Sequence, residues 1–248
     1  KIPYIDCCDA NFGIYQDRDK RIATKLKEEK LKKGYPQTFR TNWAKFASEK
    51  IIPTVKELQA ADLFRAITLS LQSLDETTLD IIKRENLKFD KFSNLTNQFR
   101  VAGIPSYTEL IMGLPGETLE SFKKGLEIIM SDKNVGTLMI YNCGILPNAP
   151  MNEPWYMEKY KIKTVRSPIL LQHSSIHHRG IEEYEYIVTS TTSFTTPELK
   201  EMYILSWAVQ TFHSFGVLEY IQRYYESMNG LSVMKFYVSF LEFCKTKE

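Results

Sequence analysis

Strand-like and helix-like segments alternate through residues 1 to about 145, and that alternation limits the fold more than any other feature of the chain. Residues 3–8 (Pro-Tyr-Ile-Asp-Cys-Cys) are short and apolar between polar flanks, the pattern of a buried strand. Residues 17–33 are densely charged, with apolar positions at Ile22, Leu26 and Leu31, and read as an exposed amphipathic helix that Gly34-Tyr35-Pro36 ends. The same reading predicts strands over Gln37–Asn42, Ala66–Leu71, Ser106–Met112 and Val135–Asn142. Helices are expected over 51–61, from Asp75 through Arg84, on to about Val101, and over Thr118–Met130. Strands separated by helices favour parallel pairing through right-handed crossovers.

Beyond Leu146 the pattern changes. Pro147, Pro150 and Pro154 mark a loop, and Glu158–Gln172 has no clear period. Tyr184–Thr191 alternates like a strand, and Pro197–Cys244 reads as two or three aromatic-rich helices broken near Gly216 and Gly230. The expected organisation is therefore an α/β region over 1–146 and a mostly α-helical region over 147–248.

Charge and composition narrow the function. The 248 residues carry 32 basic and 30 acidic side chains, a net charge of +2 with no basic stripe, which argues against nucleic acid as a partner. No apolar run has the length of a membrane span, and a cytoplasmic setting without membrane contact is expected. The four cysteines, Cys7, Cys8, Cys143 and Cys244, form no disulfide framework and no C-x-x-C pair.

Three segments carry chemistry. Glu109-Leu-Ile-Met-Gly113-Leu-Pro-Gly116-Glu-Thr118 is a strand that turns through glycines into a helix start, where free amides await a ligand; a plain Pro-Gly corner explains it equally well. Gln72 closes a strand and Arg84 follows in the next helix, an amide and a guanidinium suited to hydroxyl, amino or carboxylate groups. Asp9 and Asn11 in Asp9-Ala-Asn-Phe-Gly13 offer acceptors, or form an ordinary Asx-rich loop.

Taken in order, DANFG, SLQSLDE with IIKREN, and ELIMGLPGETLESF resemble the radical S-adenosylmethionine (radical SAM) enzymes, and most closely the class with an upstream cobalamin-binding domain. The resemblance covers residues 1 to about 146 and extends loosely over EYEYIVTSTTSFTTPELKEMYILSWAVQTFHSFG. It implies strands 2–6 of a partial (β/α)6 TIM-like barrel. It also implies SAM cleaved reductively by a [4Fe–4S] cluster, with cobalamin-dependent methyl transfer or rearrangement as the reaction. By the same resemblance, Gln72 and Glu109 meet the ribose region and Arg84 the carboxylate. Ile111 and Gly113 form the floor beneath the adenine, Asp9 and Asn11 take the amino group, and Tyr141 stacks or pairs with adenine. The partners it implies are a small-molecule or peptide substrate and a reductant such as flavodoxin or ferredoxin.

Three departures qualify it. Asp9-Ala10-Asn11 stands in place of the family's Gly-Gly-Glu motif but keeps polar acceptors. Glu109 stands where the family motif G-x-I-x-G-x-x-x-E begins with glycine. The three-cysteine cluster motif C-x-x-x-C-x-x-C is absent, and its expected place is before Lys1, with the cobalamin domain further upstream. Cys7 and Cys8 cannot replace it, since neighbours on a strand face opposite ways. The rival reading is a non-catalytic binding module that keeps the barrel without the cluster.

His173, His177 and His178 share a spacing seen in metal sites, but a surface cluster explains them better. The aromatic residues from Tyr203 to Phe243 are expected to pack in a core, and His213 among them.

Overall fold

The structure, a computed structural model, describes residues 1–44, 48–169 and 183–246. The histidines His173, His177 and His178 lie outside these. Its elements follow the predicted alternation: β1 (Tyr4–Phe12), α1 (Gln16–Lys33), β2 (Thr38–Trp43), α2 (Ile52–Gln59), β3 (Ile67–Gln72), α3 (Glu76–Ile81), α4 (Phe89–Val101), β4 (Ser106–Met112), α5 (Leu119–Ser131) and β5 (Thr137–Asn142). After these come β6 (Gly144–Ile145), α6 (Pro154–Lys159), β7 (Lys163–Pro168), β8 (Tyr184–Ser190), α7 (Thr196–Ala208), α8 (Glu219–Asn229) and α9 (Val233–Lys245). β1 pairs with β2 in parallel, from Tyr4 opposite Thr38 to Cys7 opposite Thr41. β3, β4 and β5 form a second sheet in that order.

The chain divides into two compact units, 1–71 with 87–109 and 132–139, and 72–86 with 110–131 and 140–248. In the first unit Phe12 lies edge-on to Phe39 and to Trp43, at centroid distances of 5.7 and 5.4 Å, and Trp43 meets Phe64 the same way. Val55 and Leu58 of α2, with Phe92 and Phe99 of α4, are buried in the same unit. Each such side chain contributes roughly 1.5–3 kcal/mol on burial. Alternation along β1 leaves Cys7 half-buried and Cys8 exposed, as expected of strand neighbours.

The second unit differs from the reading of the sequence in three ways. First, β6, β8 and β7 form an antiparallel sheet, with Gly144 opposite Ile187 and Val165 also opposite Ile187. β6 has two residues and β7 is charged and exposed, so neither carried a periodic signal. Second, the helix expected through Arg84 stops at Ile81. Lys83 takes the left-handed conformation (φ +52°), and its amide bonds Asp80 O at 3.2 Å while Arg84 N bonds Leu79 O at 2.9 Å, a Schellman ending without glycine. Arg84 therefore lies past the helix.

Third, the aromatic helices bury only some of their rings. Tyr237 is fully buried, whereas Tyr203, Trp207, Phe215, Tyr220 and Tyr224 are more than half exposed. His213 is buried, as expected, with its ring edge-on to Tyr237 at 5.9 Å, and burial holds its imidazole below the ordinary value. Its Nδ1 has no hydrogen-bond partner among the described residues.

Candidate functional site

In the first unit, the end of β1 and the start of α1 build one polar group. Asp9 Oδ1 accepts from Asn11 N at 2.9 Å, an Asx turn, and Asp9 Oδ2 accepts from Arg18 Nη2 at 2.6 Å. Arg18 Nε donates to Asp19 Oδ1 at 2.6 Å, and Asp19 Oδ2 accepts from Gly13 N at 2.7 Å. Asp19 is fully buried, yet both of its oxygens are satisfied. The Asn11 amide and then the Arg18 guanidinium hold the Asp9 carboxyl below its usual range. Gly13 has φ +101°, and a Cβ there would lie 3.0 Å from Ile51 Cγ2, so the turn requires glycine.

Glu109 belongs to the same unit. Along β4, Thr108, Leu110 and Met112 are buried, while Tyr107, Glu109 and Ile111 share the half-exposed face. Along β3, Thr68, Ser70 and Gln72 likewise share the half-exposed face. Ser70 Oγ donates to Glu109 Oε2 at 2.5 Å, a bond that leaves Oε1 as an acceptor.

In the second unit a hydrogen-bonded chain ties the segment after β3 to the turn after β4. Arg84 Nε donates to Asn86 Oδ1 at 3.3 Å, Asn86 Nδ2 to Ser73 O at 2.8 Å, and Ser73 Oγ to Glu117 Oε1 at 2.8 Å. Asp75 caps α3 by accepting from Thr78 N and Thr78 Oγ1. Gln72 itself has φ +62°, a conformation costly for a residue with a Cβ.

The turn Gly113–Glu117 is closely packed. Gly116 has φ +97°, and a Cβ there would fall 2.7 Å from Ile81 Cδ1 and 3.2 Å from Thr78 Cα. Its amide donates to Ser193 Oγ at 3.0 Å, and Phe194 and Leu199 line Gly113. Glu117 is buried, with Oε2 unpartnered among the described residues. Desolvation raises its pKa to about 8 against the lowering by Ser73, so the carboxyl is largely neutral at pH 7. Desolvation, then Glu117, pushes Cys143 up to about 12, which makes that thiol unreactive. On β5, Tyr141 is 44% exposed, and the adjacent Ile140 amide donates to Gln210 Oε1 at 2.9 Å from the π-helical turn 209–214.

Of the residues singled out from sequence, Asp9, Asn11 and Glu109 lie in the first unit, and Gln72, Arg84, Ile111, Gly113 and Tyr141 in the second. Sequence reasoning missed Arg18, Asp19, Ser70 and Asn86 as partners. Only the acidic first turn of α1 gave a hint of one, Asp19.

Over 230 residues, 93% of its length, the chain is 34% identical to the cobalamin-dependent radical SAM methyltransferase TokK of Streptomyces tokunonensis. It is a homologue of cobalamin-dependent radical SAM methyltransferases. A second match, over the same share of the chain at 31% identity, is the 2-(S-pantetheinyl)-carbapenam-3-carboxylate methyltransferase of Streptantibioticus cattleyicolor. The chain spans about a third of the length of these curated relatives (34% of each). Among solved structures, the radical SAM methyltransferase TsrM from Kitasatospora setae, with tryptophan substrate and a SAM analogue bound, superposes with a TM-score of 0.52 at 14% identity. That likeness covers 82% of this chain and 42% of TsrM. It shows an α/β fold like that of this radical SAM methyltransferase. No protein-family model matches the chain.

Proposed function

We propose that the chain is the SAM-binding portion of a cobalamin-dependent radical SAM methyltransferase, and that its strands form part of a (β/α)6 barrel over 1–146 followed by a substrate-side region over 147–248. The observation that carries this reading is the 34% identity to a methyltransferase of that class across 93% of the chain.

The chemistry of individual residues supports SAM as the ligand. Glu109 keeps a carboxylate oxygen on a half-exposed strand face, Asp9 presents an ionised carboxylate with spare lone pairs, and Gln72 is held in a left-handed conformation at a strand end. Glu109 and Gln72 would accept from and donate to the ribose hydroxyls, Arg84 would clamp the carboxylate, and Asp9 and Asn11 would hold the amino group. Ile111 and Gly113 would underlie the adenine, with Tyr141 beside it. When bound, SAM supplies the transferable methyl group. The chain's own part is to orient that molecule and to keep neutral side chains, Glu117 and Cys143, behind the Gly113 turn.

The residues described here do not fit an iron–sulfur cluster. No three of the His, Cys, Asp or Glu side chains among the described residues converge as metal ligands. The cluster, the cobalamin, the reductant (a flavodoxin or ferredoxin) and the small-molecule or peptide substrate belong to the whole protein in this reading. Among the described residues no helix is long and apolar enough to cross a membrane.

The test is SAM binding by calorimetry to the wild type and to Glu109→Ala and Arg84→Ala. Each variant is expected to lose about 1.5–3 kcal/mol, one charged hydrogen bond, or roughly 10- to 150-fold in affinity. Unchanged affinity in both removes the site assignment.

A further inference from the structure

The Arg18 bond to Asp19 pairs a buried carboxylate, but its second bond, to Asp9, is explained poorly by stability. The two ends of this bridge differ: the Asp9 end is open, with side chains 41% and 32% exposed, while Asp19 is sealed at 0%. An exposed ion pair contributes little to folding. A fully desolvated carboxylate, by contrast, holds its geometry because both oxygens are occupied, by the Gly13 amide and the Arg18 Nε. The bridge is therefore rigid at its base in α1 and accessible at its tip. The guanidinium is held further by the Tyr15 ring, 4.8 Å from its carbon.

The tip is a carboxylate with unused capacity. Asp9 accepts one bond on each oxygen, from Asn11 N and from Arg18 Nη2, and a carboxylate has about four acceptor positions. Asp9, Arg18 and Asp19 together carry one net negative charge, which matches one ammonium group. We propose that Arg18 is a positioning residue for the recognition of the SAM amino group: it fixes the Asp9 carboxylate against the buried Asp19 anchor, so that the strand end Asp9–Phe12 meets the ammonium in one orientation. This rests on the reading that Asp9 and Asn11 take that amino group.

Position and charge make opposite predictions. Removing Arg18 leaves two uncompensated carboxylates, so a site governed by charge alone would bind a cation more tightly. A site governed by position would bind it more weakly.

The experiment is calorimetric titration of the 248-residue chain with SAM and with 5′-methylthioadenosine, which lacks the amino acid end. The proteins are the wild type, Asp9→Asn, Arg18→Met and Arg18→Lys, each checked for native circular dichroism. Arg18→Met is expected to weaken SAM about tenfold, the scale of one charge-assisted hydrogen bond, and to leave methylthioadenosine within about twofold. Arg18→Lys is expected to recover part of that loss. Tighter SAM binding by Arg18→Met, an equal loss for both ligands, or no loss while Asp9→Asn weakens SAM each overturns the positioning role and leaves the Asp9 reading intact. A wild type that binds SAM no better than methylthioadenosine, or an Asp9→Asn variant with unchanged SAM affinity, overturns the Asp9 reading itself.

Discussion

Glu117 carries a strong pH linkage among the described residues of the second unit. Its folded-state pKa of about 8 lies above the ordinary 4.5, so between those values the native state keeps a proton that the unfolded chain releases. Stability is then full below about pH 4.5 and falls as pH rises through about 8, by on the order of 4–5 kcal/mol in total. Glu117→Gln keeps an oxygen for the Ser73 hydroxyl and carries no titratable proton. Urea midpoints measured from pH 5 to 9 are expected to fall relative to those of the variant as pH rises, the wild type losing ground to Glu117→Gln; parallel curves contradict a buried neutral carboxyl. At this scale the sequence showed which polar residues stand on the strands, such as Asp9, Gln72 and Glu109. It did not show that Ser70 would reach Glu109, 39 positions away, or that Arg18 would be shared between two aspartates. Hydrogen-bond partners across a sheet depend on register, which no local pattern encodes.

Among elements, the turn between β4 and α5 has little room for change. Gly116→Ala places a methyl 2.7 Å from Ile81 and 3.2 Å from the Thr78 backbone, at a φ of +97°. Backbone strain and overpacking together are expected to cost about 3 kcal/mol, read as a lower urea midpoint with an unchanged slope. A midpoint within experimental error of the wild type removes that packing account. The βα alternation up to Asn142 was legible because each element carries its own period and its own ending. The ending of α3 was not, because Lys83 does there what glycine usually does. The sheet β6–β8–β7 escaped for a different reason: a two-residue strand and an exposed charged one have no period to detect.

For the whole molecule, the cysteines set a limit. Cys7 and Cys8 lie on β1 in the first unit, Cys143 is buried beside Glu117 in the second, and Cys244 is exposed near the end of α9. Anaerobic treatment of the chain with ferrous iron and sulfide is expected to yield no stoichiometric [4Fe–4S] absorption, since three thiolates must converge on one cluster. Four iron atoms per chain with the cluster spectrum contradicts that expectation. The exposure of Trp207, Tyr220 and Tyr224 was hidden in the sequence because the same helical spacing serves a buried face or an open one.

The three tryptophans are divided between the compact units, and the division gives the molecule a built-in optical reporter. Trp43 lies in the first unit at 8% exposure against the edge of Phe12, whereas Trp155 and Trp207 lie in the second at 57% and 54%. A water-soluble quencher reaches the second pair and spares the first. The blue-shifted emission that survives quenching then follows the first unit alone, without any label.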